Sequence, residues 1–451
     1  MSIAGCALAG LLAPAGAAAA PGSGPTAVVS LGDSFISGEA GRWQGNSVSP
    51  LRDRDGTDRA WRSGDLLRPS GRDAVYPGGT DADGCHRSDV APVHAARALG
   101  APFQASVNLA CSGAETADIV DAEQKGYPPQ AAQLAGVAAS HDVKMVVLSI
   151  GGNDLGFASI IQNCIIKFAS GGTILPTPCH PTEQPKVDAA MPAAAAGVGR
   201  SIDAVRATMA AAGYAPGDYR LVLQSYPSPV PRAADVRYAV GALRLTPGSC
   251  PFTNADADWA RDALVNQIAD MLSGVAAERN VEFLDLRSLF DGHEACAKGS
   301  RQAGPLAPPT GATMEWARFI DLGQYGGETQ ESFHPNAYGQ QAMGACWAAL
   351  AGSAPGRFAC GNVAGAGPER VVLGRTGELR APEPAPVAPA PAPVSPAQSA
   401  PAPVVPPTAS KSESSVGGGG KAATARAKRA LARSLARCGR IERAGKRKAC
   451  K

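Results

Sequence analysis

The chain has 451 residues, a formal net charge of +3, 45% hydrophobic residues and 5% aromatic residues. That length exceeds what one typical domain needs and supports a sizeable core, and the body holds no apolar run long enough to span a bilayer. The near-neutral total conceals a division. Residues 421–451 hold 12 Lys/Arg against one acid, Glu442, a net +11 that leaves −8 on residues 1–420.

Residues 1–20 are small and apolar and end in Ala-rich sequence, the pattern of a secretory signal with cleavage near Ala20, although a positive first segment is missing. Ile3-Ala4-Gly5-Cys6 loosely resembles a lipoprotein signal, but Cys6 lies too near the start to carry that reading. A globular body is expected over residues 26–363. Its predicted strands are 27–31, 105–109, 144–150, 219–224 and 281–286, mostly Val, Ile and Leu without clean alternation, as in parallel strands buried on both faces. Helices are predicted between them: 88–99 from a Ser cap, the Ala-rich 193–212, the amphipathic 255–279 with Asn254 as cap, and 337–350 after His334-Pro335-Asn336. Alternating strand and helix predicts a doubly wound α/β layer fold. Two insertions interrupt it, 41–84 with Trp43 and Trp61, and 286–327 with Cys296; loops of this length serve as functional rims or as surface decoration.

Beyond residue 363 the composition changes. Residues 381–407 hold 11 prolines, an extended spacer, and Gly417–Gly420 is a flexible joint, so 381–420 reads as a linker. The basic tail 421–451 reads either as a solvated segment or as an adhesive for anionic cell-envelope polymer, which is favoured over nucleic acid for an exported chain. Cys438 and Cys450 have the spacing to close a small loop there.

Eight cysteines fall in the body, an even number that reads as disulfides in an exported protein. The expected pairing is of neighbours, Cys85–Cys111, Cys164–Cys179, Cys250–Cys296 and Cys346–Cys360, although sequence does not fix connectivity. No pair is spaced C-x-x-C and no H-E-x-x-H occurs, so neither a metal nor a cofactor is expected.

The chemistry gathers at strand ends. The first strand stops on Gly32-Asp33-Ser34, which delivers a serine to the ligand-binding edge of an α/β sheet. A serine hydroxyl needs a base to take its proton and donors aimed at the developing oxyanion. Of six histidines, His334 is the best base, because Pro335 holds it extended; His86, His94, His141, His180 and His293 read as surface or structural residues. Glu331, three residues before His334, is a candidate to orient its ring. Asn153 follows Gly151-Gly152 at the end of another strand, and its side-chain amide suits an oxyanion donor or a helix cap. Gly113 follows a third strand and offers a backbone amide.

These four segments, in this order, resemble the SGNH hydrolases, also called the GDSL lipase and esterase family. Gly32-Asp33-Ser34 is similar to the nucleophile block, Gly113 to the second, Gly152-Asn153-Asp154 to the third, and His334-Pro335-Asn336 to the last, and the resemblance spans residues 26–350. Ser37-Gly38-Glu39 and the cysteine-rich body resemble exported actinobacterial lipases and esterases of the family. The resemblance implies a three-layer α/β/α sandwich on a flavodoxin-like, parallel five-stranded sheet. It implies Ser34 as nucleophile, His334 as general base, and an oxyanion hole made of the Ser34 amide, the Gly113 amide and the Asn153 side chain. The family's usual Asp three residues before the histidine is Glu331 here, so two alternatives stay open: Glu331, or a backbone carbonyl, orients His334. No G-x-S-x-G is present, against an α/β-hydrolase elbow. The expectation is a secreted or cell-surface, monomeric serine hydrolase of lipid or other acyl esters. Two alternatives stand beside it: a carbohydrate O-acetyl esterase, and a surface-binding protein with an inactive hydrolase body.

Overall fold

A computed structural model describes residues 22–49, 54–61, 71–171, 176–321, 323 and 326–380. The expectations for residues 1–20, for the 381–420 linker and for the basic tail lie outside the described residues.

Seven strands form one sheet in the order β2-β1-β3-β4-β5-β6-β7. β1 (Thr26–Gly32), β2 (Ala105–Asn108), β3 (Asp142–Ser149), β4 (Arg220–Gln224) and β5 (Glu282–Asp285) are the five predicted strands, all parallel. Their order, 2-1-3-4-5, is the flavodoxin-like one, in which the chain reverses its direction of growth beside β1. β1 and β3 are buried almost throughout, which is why their Val, Met and Leu show no clean alternation with polar residues; β2 closes an edge and is only half-buried.

The five-stranded expectation needs correction. β6 (Arg357–Asn362) extends the sheet in parallel, and β7 (Val371–Gly377) closes it in antiparallel, so the globular body runs past residue 363. β7 alternates half-buried and exposed positions and gives little apolar signal to read.

Helices cover both faces. On one, α2 (Pro92–Ala98) packs against α9 (Ala337–Ala351). On the other, α3 (Thr116–Val120) and α4 (Gln130–Ser140) pack on α6 (His180–Ala211), which also meets α8 (Val265–Glu278). The three-layer arrangement is therefore as expected, while several helix starts differ. α2 opens on Pro92 rather than at Ser88, because proline loses nothing at a first helical position. α6 begins 13 residues before its expected start and carries Pro185 and Pro192 inside. Its buried stripe of Ala194, Val198, Ile202, Val205 and Met209 supplies the packing that sustains a long helix despite them. Thr253, not Asn254, caps α7 (Asn254–Asp258), accepting the Asp256 amide at 3.0 Å; α7 then runs through a π turn, Trp259–Leu264, into α8. Asn336 caps α9 with bonds from the Tyr338 and Gly339 amides, and Pro335 lies just outside the helix.

The body is stapled by four disulfides: Cys85–Cys111, Cys164–Cys179, Cys250–Cys296 and Cys346–Cys360. The two insertions pack on each other beneath the last motif. Asn46 donates to Glu315 (2.5 Å) and to the Ala317 carbonyl (2.8 Å), and the Ala337 amide bonds the Trp43 carbonyl (2.7 Å). Among the described residues no helix is long and apolar enough to cross a membrane.

Candidate active site

Ser34 owes its position to Gly32. At φ +146°, a Cβ at residue 32 would lie 2.0 Å from the Ser149 carbonyl oxygen, so only glycine lets β1 run this close to β3. Gln130 clamps the same residue, accepting from the Gly32 amide (2.7 Å) and donating to its carbonyl (2.9 Å). Asp33 then caps the short helix α1 (Ser34–Ser37), accepting the Phe35 amide at 3.0 Å. Burial pushes the Asp33 carboxyl up to about 7. Its other oxygen accepts the Tyr226 hydroxyl at 2.5 Å, and that hydroxyl accepts the Gly152 amide at 3.2 Å. Tyr226, at the end of β4, thus ties the Ser34 turn to the Asn153 turn.

His334 arrives from the far end of the chain. Its Nε2 lies 2.6 Å from Ser34 Oγ. Phe333 holds φ +62°, a left-handed conformation costing about 1–3 kcal/mol in a bulky residue. Its ring is buried against Phe252, which anchors this turn of chain, and the backbone is fixed on both sides by Phe333 N–H to Arg318 O (2.8 Å) and Arg318 N–H to His334 O (2.9 Å). Burial lowers the His334 pKa below its ordinary 6.5; the charge of Glu39 and the Ser332 and Gln330 carbonyls act in the opposite direction. The ring is therefore neutral at physiological pH, the form that accepts a proton.

Glu331 does not reach this ring. Its buried carboxylate turns back along its own 3₁₀ turn, accepting the Glu328 amide (2.8 Å) and the Trp43 indole N–H (2.9 Å). Burial raises its carboxyl above the ordinary value, and the positive charges of Arg42 and Arg318 oppose that rise. His334 Nδ1 is buried and bonds no side chain; the acceptors beside it are the Ser332 and Gln330 carbonyls, set more loosely than a full hydrogen bond. Of the two alternatives open in the sequence, the Glu331 contact is not formed in this structure.

The three expected oxyanion donors come from the ends of β1, β2 and β3. Among the described residues, neither the Ser34 nor the Gly113 amide has a protein acceptor. Asn153 spends one amide hydrogen on the Ala114 carbonyl (2.8 Å), which fixes the side chain and leaves its second hydrogen. Asp154 accepts from the Thr116 amide and hydroxyl, so it anchors the loop after Gly113.

The model of the GDSL-like Lipase/Acylhydrolase family matches residues 30–342, a span that contains all four motif blocks. The chain belongs to this family. It is 27% identical over 239 residues to Lipase 2 of Streptomyces coelicolor, covering 52% of this chain and 68% of that protein. Among solved structures, the phospholipase A1 of Streptomyces albidoflavus is 21% identical with a TM-score of 0.38. The extracellular lipase of Streptomyces rimosus is 20% identical with a TM-score of 0.36. Each match covers 70% of this chain and 94% of the other.

Two features near Ser34 and His334 were not legible from the motifs. One is an apolar cleft at Phe333, walled by Phe157, Ile160, Ile161, Val230, Phe252 and Phe333 among others, with neither Ser34 nor His334 in its lining. Phe35, the residue after Ser34, joins the wall to the dyad, with ring centroids 6.1 Å from Phe157 and 5.3 Å from His334. The other is a buried Glu39–His86 pair at 2.7 Å, which Gln330 also approaches. His86 is thus held against Glu39 rather than Ser34, and none of His94, His141, His180 and His293 hydrogen-bonds Ser34. Among the described residues no group of acidic, histidine or cysteine side chains has the geometry to hold a metal.

Proposed function

We propose that this GDSL-family protein is an exported serine hydrolase that cleaves acyl and lipid esters through an acyl-enzyme. The observation that carries the reading is the 2.6 Å contact between Ser34 Oγ and the neutral, buried His334 ring. In this mechanism His334 Nε2 takes the Ser34 proton as Oγ attacks the ester carbonyl carbon. The carbonyl oxygen becomes an oxyanion facing the Ser34 and Gly113 amides and the Asn153 side chain. Collapse expels the alcohol, which leaves with the proton from His334, and water repeats the cycle on the acyl-Ser34 ester. In this reading the Ser332 or Gln330 carbonyl, rather than a carboxylate, orients the base.

The cleft favours acyl chains over a carbohydrate O-acetyl group, because its walls are almost wholly apolar and an acetyl group leaves them unfilled. Four disulfides support export, and the basic tail is read as holding the enzyme on an anionic envelope polymer. The test is Ser34→Ala on p-nitrophenyl esters of increasing chain length. Turnover should fall to background in a folded protein, with wild type favouring medium or long chains over acetyl. Retained turnover in the variant would overturn the reading, and strict acetyl preference in the wild type would transfer it to the acetyl esterase.

A further inference from the structure

Gly113, the proposed oxyanion donor, sits in a tight turn that decides where its N–H points. The Ala114 amide bonds the Cys111 carbonyl at 3.1 Å, and Gly113 holds φ +81°, the value a type II turn requires at its third residue. The central peptide of this turn joins Ser112 to Gly113, and its planarity sends the carbonyl out on one side and the N–H on the other. Flipping that peptide would convert type II into type I and reverse both groups. The chain before it is anchored, since the Ser112 amide bonds the Cys85 carbonyl at 3.1 Å beside the Cys85–Cys111 disulfide.

A second turn holds the peptide in this sense. Gln124 and Tyr127 exchange backbone bonds of 3.0 and 2.9 Å around Lys125 and Gly126. Both central residues have positive φ, +52° and +84°, as in a two-residue type I′ turn. Asparagine suits the first of these positions, whereas lysine adopts that backbone only under strain. What lysine adds is an ammonium. Lys125 Nζ donates to the Ser112 carbonyl at 2.7 Å and also to the Gly84 carbonyl, and Gln124 Nε2 donates to the same Ser112 oxygen at 3.1 Å. Burial lowers the Lys125 pKa from its ordinary 10.5, and the charges of Glu39, Asp83 and Asp118 oppose that fall, so the group is cationic at neutral pH. Both donors end on the oxygen of the peptide whose N–H has no protein acceptor among the described residues. Donors at a peptide carbonyl polarise the amide and strengthen its N–H as a donor in turn.

We infer that Lys125, with Gln124 beside it, is a positioning residue for the ester hydrolysis: it holds and polarises the Ser112–Gly113 peptide so that the Gly113 N–H stabilises the oxyanion. The inference rests on the acyl-enzyme reading, in which an oxyanion forms at that N–H. Ordinary peptide and hydrogen-bond lengths put the ammonium about 7 Å from such an oxyanion. A unit charge at that separation is worth about threefold in rate with the dielectric of bulk water, and about fiftyfold with that of protein surroundings. Lys125 is exposed, so its effect lies toward the lower figure.

The test compares the full wild-type chain with Lys125→Asn, which suits the turn but lacks the charge and the reach, and with Lys125→Arg, which keeps the charge. The readouts are kcat and KM on p-nitrophenyl butyrate, inhibition by an alkyl trifluoromethyl ketone, and melting temperature. Ser34 Oγ bonds the carbonyl carbon of such a ketone, the serine proton passes to His334, and the ketone oxygen is left as the anion. Its Ki therefore reports oxyanion stabilisation. Lys125→Asn should lower kcat by about threefold to tenfold with KM unchanged within about twofold, and raise Ki by the factor by which kcat/KM falls. Lys125→Arg should recover most of the loss, and both variants should melt close to wild type. A lysine that only ties the two loops together would instead lower the melting temperature and leave Ki per folded molecule unchanged, which would overturn the inference. So would unchanged kcat and Ki in Lys125→Asn, or equal losses in the two variants. Failure of the acyl-enzyme reading looks different: wild type itself would neither turn over the ester nor bind the ketone.

Discussion

Glu331→Gln separates two accounts of what holds His334. Removing the orienting carboxylate of a Ser-His-acid triad lowers kcat by about 10⁴. In this structure the Glu331 carboxylate instead accepts from Trp43 and the Glu328 amide and feels the buried Arg42 and Arg318 charges. Arg42 and Arg318 keep partners of their own in Asp58 and Asp321 at 2.5 and 2.6 Å, so neither is stranded by the change. A glutamine still has an oxygen for the indole N–H but loses the charge. The expected cost is then one charge-assisted contact, about 1.5–3 kcal/mol, seen as a melting temperature lower by a few degrees. Turnover per folded molecule should fall by less than about tenfold, because Ser34, His334 and the carbonyls at Nδ1 are untouched. The assay is kcat on a p-nitrophenyl ester, normalised by active-site titration, beside thermal denaturation of the same samples. A fall of a thousandfold or more in a variant of unchanged stability would refute the reasoning and return Glu331 to the triad.

Three further outcomes follow from the same geometry. Since protonated His334 cannot act as base and burial lowers its pKa, kcat/KM should be full at neutral pH and fall only on an acid limb below 6.5; Asp33→Asn should leave that limb in place, and Glu39→Gln should move it lower still. Ile161→Trp, which fills the cleft, should cut kcat/KM on decanoyl esters by about tenfold or more while sparing butyryl esters, as removal of chain-binding volume predicts; equal loss on both would disconnect the cleft from the acyl chain. Replacing Cys85 and Cys111 by alanine opens a link between residues 26 apart and should cost about 3 kcal/mol in chemical denaturation. Because the Ser112 amide bonds the Cys85 carbonyl, that change should also slow turnover through the Gly113 loop.

The central strands were readable because a strand buried on both faces is mostly apolar, as in Val28, Val29 and Leu31 of β1, residues 145–148 of β3 and residues 221–223 of β4. β7 was not, because an antiparallel edge exposes alternate residues and its Val-Val-Leu is soon broken by Gly374 and Arg375. Helix ends misled where tertiary packing overrode local signals, as at Pro185 and Pro192 in α6. Ser34 and His334 were legible because each is placed by its neighbours in sequence: Gly32 and Asp33 for one, Pro335 for the other. The cleft was not, since Phe157, Val230, Phe252 and Phe333 come from four separate segments and meet only in three dimensions. Glu331 shows how spacing alone falls short. Three residues suffice to reach the ring in an extended chain, but residues 329–331 form a 3₁₀ turn whose capping bond pulls the carboxylate back to its start. Trp43 completes that capture from 288 residues away, from an insertion whose part in the site no local pattern reveals.

The most direct test of the account is covalent trapping of the nucleophile. A fluorophosphonate incubated with the full chain should add one phosphonyl group per molecule. Peptide mass spectrometry should find it on Ser34, with labelling abolished by His334→Ala, which removes the base but leaves the serine. A label on any other residue, or undiminished labelling of Ser34 without His334, would contradict the claim that these two side chains form the catalytic pair.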